Sequence, residues 1–369
     1  MKIAIIGTRG IPNNYGGFEQ FAEYLSVGLL KYGHEVIVYS PHNHRFSGDN
    51  WQGVTIIHKY DPEREMGTMG QFIYDFNCIL DTRRRGFDIV LQLGYTSSSV
   101  WGWLLPRKKA TIITNMDGLE WKRSKFSKKV RNFLIYAEKL GVKYSDHLIA
   151  DSIGIQEYIH EKYNRFSEYI PYGSHIFSNA KETIIEEYNL IKYEYNILVA
   201  RLEPENSIEI ILDGVVMAEN KSIMLVIGNN ETSYGAYLKN KFAIYKNIKF
   251  IGGIYDINIL NNLRYFSNVY FHGHTVGGTN PSLLEAMGSN CLICANNNSF
   301  NNYILGDDGL RFDTAKDVAL IINTANKLDL NEQFKLKNNL DKIRNIYSWD
   351  KIISQYEECF RKYKKLSEH

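Results

Sequence analysis

The chain has 369 residues, of which 44% are hydrophobic and 23% charged, and its 43 Lys and Arg nearly balance its 41 Asp and Glu. This composition is typical of a folded, water-soluble protein, and the length exceeds one ordinary domain of about 100–200 residues. A net charge of +2 would not draw the whole protein to DNA or RNA, so nucleic acid is not an expected partner. No apolar run reaches the roughly 18–20 residues of a membrane span.

The four cysteines are too few for a disulfide scaffold. Cys291 and Cys294 have the spacing of a metal or redox pair, but no second Cys/His pair lies nearby in the sequence. We therefore interpret them as small core residues. The apolar part of the N-terminus is too short for a secretory signal and predicts a first strand. These features fit a reducing compartment, so we expect a cytoplasmic protein.

The first half of the chain alternates short apolar runs with amphipathic stretches. Apolar residues at helical spacing predict a helix over Phe18–Tyr32, and Gly33 ends it. The predicted strands are short and mostly apolar: Lys2–Gly7, Glu35–Ser40, Val54–Lys59, Asp88–Leu93, Thr111–Asn115, His147–Asp151 and Glu168–Ile170. Alternating strands and helices predict a parallel sheet with helices on both faces.

The same alternation begins again after a polar, irregular stretch at 174–193. Its predicted strands are Tyr195–Ala200, Ile223–Gly228, Ile248–Ile251, Val269–Phe271 and Cys291–Ala295, and a last helix follows Ser348. We therefore expect an α/β chain of two tandem Rossmann-like domains, residues 1–180 and 181–346, with residues 347–369 as a C-terminal helix. Ligands of such folds bind at the carboxyl ends of the strands.

The first predicted strand is followed by a glycine-rich loop, Gly7–Gly17, and then a helix. Glycines let backbone N–H groups approach an anion, and a helix N-terminus adds about half a positive charge. The loop lacks the G-x-G-x-x-G spacing of dinucleotide sites, and the chain contains no P-loop motif. We interpret Arg9, Gly16 and Gly17 as phosphate- or sugar-binding residues. The alternative is a tight turn without a ligand.

Charged residues follow the predicted strand Thr111–Asn115. Asp117 stands where a carboxylate can bind sugar hydroxyls or accept a proton. Lys122 and Arg123 begin a basic stretch that extends to Arg131. That stretch is either a solvated helix face, which is the favoured interpretation, or a contact with anionic lipid headgroups.

Two segments of the second half carry the most specific signals. Arg201 directly follows a predicted strand, where its guanidinium can donate two hydrogen bonds to a diphosphate. In the segment 272–288 a strand ends, a glycine turn follows, and a helix begins. Backbone N–H groups of the turn can bind phosphate oxygens, and Glu285 can accept hydrogen bonds from ribose hydroxyls. The donor-binding residues predicted here are Gly278, Thr279, Asn280 and Ser282.

Metal binding is not expected. His272 and His274 lie two residues apart on a strand end, without a third ligand in view. No Asp-x-Asp motif, through which one class of sugar-transferring enzymes holds a metal, occurs in the chain.

Several segments in the right order resemble glycosyltransferase family 4. Arg201–Glu205 and Asn280–Met287 are similar to its donor-binding half. Gly7–Glu19, Met116–Arg123 and His274–Pro281 resemble a bacterial subgroup of the family that contains rhamnosyltransferases. The resemblance covers almost the whole chain. It implies the GT-B fold, in which two Rossmann-like domains face each other across a cleft and a C-terminal helix crosses back to the first domain.

The resemblance also implies a reaction. A retaining glycosyltransferase of this kind moves a sugar, for this subgroup L-rhamnose from dTDP-rhamnose, onto a saccharide or lipid-linked acceptor during surface polysaccharide synthesis. The nucleoside diphosphate sugar is a substrate, and no cofactor or metal is expected. Asp117, Arg201 and Glu285 are the expected catalytic residues. Contact with the membrane would be peripheral, at its inner surface.

Two positions depart from the family pattern. Gly277 stands where the first acid of an E-x7-E motif is usual, and Asn206 stands where a phosphate-binding Lys is usual. Arg9, Lys122 or Arg123 are candidates to supply the missing charge. Two alternatives stay open: a nucleotide-sugar epimerase of the same fold, and a nucleotide-sugar-binding protein that has lost catalysis.

Overall fold

The computed structural model describes residues 1–14, 16–116, 118–123 and 126–365. Its contacts divide the chain into two compact units. The first unit comprises Met1–Lys122, Phe126–Tyr172 and Trp349–His369, and the second comprises Arg123–Lys125 and Gly173–Ser348. Each unit has its own sheet covered by helices, which confirms the predicted α/β class.

Parallel pairing dominates the strands that the described residues form. They are β1 (Lys2–Ile6), β2 (Glu35–Pro41), β3 (Asn50–Trp51), β4 (Val54–Lys59), β5 (Ile89–Leu93), β6 (Thr111–Asn115), β7 (His147–Ala150), β8 (Glu168–Tyr169), β9 (Tyr195–Val199), β10 (Ile223–Ile227), β11 (Ile248–Gly252), β12 (Tyr270–His272), β13 (Ile293–Asn296) and β14 (Leu310–Phe312).

Helices connect most of these strands. They are α1 (Gly17–Leu30), α2 (Glu63–Met66), α3 (Gly70–Arg85), α4 (Lys128–Tyr144), α5 (Ile153–Tyr163), α6 (Glu182–Glu186), α7 (Ile208–Met217), α8 (Ser233–Phe242), α9 (Ile257–Tyr265), α10 (Pro281–Gly288), α11 (Ser299–Leu305), α12 (Ala315–Thr324), α13 (Leu330–Asn345) and α14 (Trp349–Tyr363). Short 3-10 helices cover Gly67–Met69, Ser99–Leu104, Glu120–Lys122 and Pro204–Asn206. None of the helices among the described residues combines the length and apolar character that a membrane span requires.

The sheet of the first unit has the strand order β3-β4-β2-β1-β5-β6-β7-β8. All neighbours are parallel except β3, which pairs antiparallel with β4. The central strand β1 is almost wholly apolar because helices cover both faces of a parallel sheet, and its residues Ile3, Ala4, Ile5 and Ile6 are completely buried. The seven strands predicted in this half are confirmed to within one residue at each end. The two-residue strand β3 was not predicted.

The sheet of the second unit has the order β11-β10-β9-β12-β13-β14 and is entirely parallel. In order of appearance this is 3-2-1-4-5-6, the doubly wound arrangement, whose topological switch point lies between β9 and β12. The segments that follow β9 and β12 therefore leave the same edge of the sheet side by side. Cys294 lies in β13 and Cys291 lies two residues before that strand. Both are buried, as predicted for core residues.

The C-terminal helix α14 packs in the first unit, against α1. The ring centroid of Tyr356 lies 5.2 Å from that of Phe21, and the Tyr356 hydroxyl accepts a hydrogen bond of 3.0 Å from the Asn115 amide at the end of β6. Tyr356 and Phe360 are completely buried. The expectation that the last helix returns to the first domain is thus confirmed.

Candidate functional site

The turn after β9 presents an arginine at the carboxyl edge of the second sheet. The Arg201 side chain is exposed and makes no hydrogen bond or ion pair with the part of the chain that the structure describes. Its carbonyl oxygen accepts a hydrogen bond of 2.7 Å from the Asn206 side-chain amide. Asn206 is buried, so it closes this turn from inside, while the guanidinium of Arg201 is available to an anion.

The turn after β9 is joined to the loop after β12. The backbone N–H and the hydroxyl of Thr275 both donate to the Glu205 carbonyl oxygen, at 3.1 and 2.8 Å. A Cβ at Gly273 would lie only 2.0 Å from the Asn206 carbonyl oxygen, so the two segments approach as closely as backbones can. This packing brings the Arg201 turn and the glycine loop to one place, as the topological switch point predicts.

The glycine loop runs into the N-terminus of α10. Asn280 caps that helix, because its side-chain oxygen accepts a hydrogen bond of 3.0 Å from the Ser282 N–H. Gly278 precedes the cap on the half-buried part of the loop, and Thr279 is buried. Gly277 has φ of +135°, a conformation that residues with a Cβ rarely adopt. A glycine at position 277, in place of an acidic residue, therefore suits the backbone conformation of this loop.

Glu285 on α10 is held by an arginine that the sequence did not single out. Nη2 of Arg264, on α9, lies 2.7 Å from Oε2 of Glu285, and the Arg264 side chain is only 1% exposed. The same guanidinium donates to the Ser282 hydroxyl at 3.2 Å and to the Asn261 side-chain oxygen at 3.0 Å. The Ser282 hydroxyl also pairs with that of Tyr270, at 2.7 Å. Two predicted donor-binding residues thus share one buried cation.

Two uncharged histidines lie at the end of β12. The His272 and His274 rings are stacked, with centroids 4.4 Å apart and an interplanar angle of 15°. Burial, followed by the charges of Arg201 and Arg123, lowers the pKa of His274 to about 3, and burial lowers the pKa of His272 well below its ordinary value. Among the described residues, no group of three His, Cys, Asp or Glu side chains is arranged to hold a metal ion.

A pocket opens beside the glycine loop. One wall is the loop itself, from His274 to Gly278, together with Asn280. The facing wall is the start of α11, with Asn298, Phe300 and Asn301. The pocket therefore combines backbone groups and amides with two apolar side chains, those of Val276 and Phe300.

A second cation lies near the Arg201 turn. Arg123, which the contacts group with the second unit, places Nη1 3.8 Å from Oε1 of the buried Glu205. The Asn206 amide donates to the Arg201 carbonyl oxygen and so faces the inside of this turn. Arg123 is therefore one of the cations that can add positive charge on this side of the second unit.

The loop after β1 in the first unit uses its polar groups internally. Nε and Nη2 of Arg9 donate to the two carboxylate oxygens of Glu63, at 2.9 and 2.8 Å. The Arg9 N–H donates to the buried carboxylate of Glu19, at 2.7 Å. Gly16 is the N-cap of α1 and Gly17 its first residue, so their backbone lies at a helix N-terminus. Contact of Arg9, Gly16 and Gly17 with a ligand stays a prediction.

The segment after β6 carries two further predicted residues. Asp117 lies outside the described residues, and its role stays a prediction. Lys122 is exposed at the end of the 3-10 helix Glu120–Lys122, and its Nζ lies 5.6 Å from the ring centroid of Trp121. The lysine thus belongs to the segment that leaves the carboxyl end of β6.

Comparisons with known proteins identify the architecture. A family model described as "Domain of unknown function (DUF1972)" matches residues 106–175, and no curated protein matches the sequence. Sucrose-phosphate synthase from Thermosynechococcus elongatus is similar in structure, with a TM-score of 0.78, 17% identity and 98% of both chains covered. The chain has the GT-B fold.

Two further solved structures agree with this fold. A glycosyltransferase from Rickettsia africae has a TM-score of 0.75 at 14% identity, with 99% of both chains covered. HepE of Anabaena, solved in complex with UDP-glucose, has a TM-score of 0.76 at 14% identity, with 98% of this chain and 100% of HepE covered. At such identities the similarity concerns the GT-B fold itself.

Proposed function

We propose that this protein is a retaining glycosyltransferase that moves a sugar from a nucleoside diphosphate sugar to a hydroxyl group of an acceptor. The observation that carries the proposal is the joined pair of segments after β9 and β12. They put the available guanidinium of Arg201 beside a glycine loop and the N-terminus of an eight-residue helix. A solved neighbour of the same fold contains UDP-glucose, which supports this class of donor.

In the proposed reaction, negative charge develops on the leaving diphosphate as its bond to the sugar breaks. Arg201 and the backbone N–H groups of Gly278–Asn280 stabilise that charge, and removal of one such donor typically costs about 2.7–4 kcal/mol of barrier. Glu285 accepts hydrogen bonds from the ribose hydroxyls, oriented by Arg264. We propose that no divalent metal takes part, because positively charged side chains and backbone donors do this work.

The proposed donor is dTDP-L-rhamnose. The φ of +135° at Gly277 disfavours an acid at the position that would bind a hydroxyl of the donor sugar. Val276 and Phe300 line the adjacent pocket and offer apolar contact to the methyl group of a 6-deoxy sugar. An apolar pocket rejects a hydroxylated analogue by only about a hundredfold, so the preference for rhamnose is expected to be clear but not absolute.

The proposed acceptor is a saccharide or a lipid-linked saccharide, reached at the cytoplasmic face of the membrane. Lys128, Lys129 and Val130, in the first turn of α4, are all exposed. Lysines beside an apolar side chain suit a peripheral, salt-sensitive contact with anionic headgroups. Co-sedimentation with anionic and neutral vesicles at low and high salt tests this contact.

The decisive experiment is nucleotide release from a panel of nucleotide sugars, with and without saccharide acceptors. Acceptor-dependent release, with product retaining the anomeric configuration of the donor, supports the proposal. Interconversion of two nucleotide sugars without an acceptor would indicate an epimerase instead. Binding without release or interconversion would indicate a protein that has lost catalysis.

A further inference from the structure

A single buried carboxylate in the first unit binds groups from the segments that follow three neighbouring strands. Glu138 on α4 is 1% exposed. Its partners all donate to the carboxylate, and with it they form what we call the Glu138 cluster: Tyr95, Trp121, Tyr158, Lys162 and Tyr163. Tyr95 follows β5, Trp121 follows β6, and the other three lie on α5, which follows β7.

The donors divide between the two oxygens of Glu138. Oε2 accepts from the Trp121 indole N–H at 3.1 Å and from the Tyr95 hydroxyl at 3.4 Å. Oε1 accepts from the hydroxyls of Tyr158 and Tyr163, at 2.7 and 2.5 Å, and from Lys162 at 2.8 Å. A buried carboxylate needs such a set of donors, because its desolvation would otherwise be very costly.

The Glu138 cluster keeps its donors in place. Burial, followed by the hydrogen bond to Glu138, raises the pKa of both Tyr158 and Tyr163, so both hydroxyls keep their protons. Nζ of Lys162 lies 5.5 Å from the Trp121 ring centroid, close enough for a cation–π interaction. Trp121 is thus held at its indole N–H by Glu138 and at its ring by the cation that Glu138 binds.

Trp121 is the residue before Lys122, in the same 3-10 turn. We propose that Glu138 is a positioning residue, which fixes the Glu120–Lys122 turn so that Lys122 is presented to the anionic substrate at the carboxyl edge of the first sheet. This inference rests on the proposed function and on the prediction from the sequence that Lys122 supplies positive charge to the phosphates of the donor. Glu138 itself touches no substrate in this scheme and acts through Trp121.

The test replaces Glu138 with Gln, which keeps the side-chain shape but removes the charge and turns an amide N–H toward hydrogen-bond donors. Glu357→Gln is the matched control. Glu357 is also buried in the first unit and bound to two basic residues, His34 and Arg361. It lies on α14, and none of its partners follows the carboxyl end of a strand. Trp121→Phe removes the indole N–H together with the five-membered ring that carries it, keeps an aromatic ring for Lys162, and serves if Glu138→Gln does not fold.

Backbone hydrogen exchange of the peptide that contains residues 118–123 reports positioning without any reaction. We expect Glu138→Gln and Trp121→Phe to speed exchange in this peptide by about tenfold or more, and Glu357→Gln to leave it unchanged. Unchanged exchange in Glu138→Gln would overturn the proposal. Faster exchange in a protein that transfers no sugar would sustain the positioning role and reject the proposed function.

A double-mutant cycle tests whether Glu138 acts through Lys122. Loss of a hydrogen bond to a charged group corresponds to about 10- to 100-fold, so Glu138→Gln is expected to lower kcat by that factor with little change in donor KM. In a Lys122→Met background, Glu138→Gln is expected to have almost no further effect. Independent, multiplying losses would show that Glu138 merely supports the fold and would refute the positioning role.

Discussion

Replacement of Glu285 with Ala would leave the Arg264 guanidinium buried without its counter-ion. Removing one partner of a buried ion pair costs about 3–5 kcal/mol, out of the roughly 5–15 kcal/mol that stabilises a typical domain. Glu285 is 17% exposed, and Arg264 would keep its bonds to Asn261 and Ser282. We therefore expect a loss near the lower limit, about 3 kcal/mol, in the free energy of unfolding of the second unit.

The tryptophans make this loss measurable unit by unit. All five, at positions 51, 101, 103, 121 and 349, lie in the first unit. In urea, tryptophan fluorescence therefore follows the first unit alone, whereas circular dichroism follows both. Glu285→Ala is expected to split the circular dichroism transition and to move one part about 1 M lower, while the fluorescence transition stays in place.

A second variant separates the structural role of Glu285 from its role in donor binding. Replacing both members of a buried ion pair by apolar residues is often nearly neutral. The double variant Arg264→Met/Glu285→Ala is expected to recover most of the lost stability and none of the donor affinity. A loss below about 1 kcal/mol in the single variant, or no recovery in the double variant, would refute the reasoning.

Four further outcomes are expected. Arg201→Ala lowers transfer by about 10²- to 10³-fold without moving the urea midpoint, since its exposed side chain has no partner among the described residues; undiminished turnover would contradict this. Transfer survives a chelator, and loss restored by magnesium or manganese would show a metal-dependent reaction. The unfolded chain binds a proton at His274 that the folded chain, with a pKa of about 3, does not. His274 alone therefore contributes a fall in stability of about 2 kcal/mol from pH 7 to pH 5. In denaturation curves His274→Gln removes this contribution, and an unchanged pH dependence would contradict the assignment. In competition, dTDP-rhamnose outcompetes UDP-glucose as donor, and the reverse preference would overturn the rhamnosyl proposal.

The strands are readable in the sequence because a parallel strand covered on both faces is a short apolar run. Strand β14 is not, since Arg311 stands between Leu310 and Phe312. That strand lies at the edge of its sheet, and the Arg311 guanidinium reaches the side-chain oxygen of Asn302. A charged residue at a sheet edge finds polar partners, so the apolar pattern that marks the central strands is lost there.

Part of the candidate site is equally readable, because Arg201, the glycine loop and Glu285 all follow strand ends. The charged partners of the site residues are not. Arg264 binds Glu285, Glu63 binds Arg9, and Glu138 binds Trp121. Each of these three partners lies in a helix, where a charged residue usually indicates a solvated face. Only the fold brings such pairs together. Arg264 and Glu285 are 21 residues apart in the chain, and Arg9 and Glu63 are 54 residues apart. Side-chain pairing of this range leaves no local periodicity.

The place of α14 has a consequence for synthesis. The first unit contains residues from both the beginning and the end of the chain, and its core includes Tyr356 and Phe360. During translation the whole second unit leaves the ribosome before these two side chains do. The core of the first unit is therefore completed only after the second unit has been made. Until then, the face of α1 that α14 covers stays exposed. A nascent chain arrested before Trp349 would contain every strand of both sheets, but the core of its first unit would lack the side chains of α14.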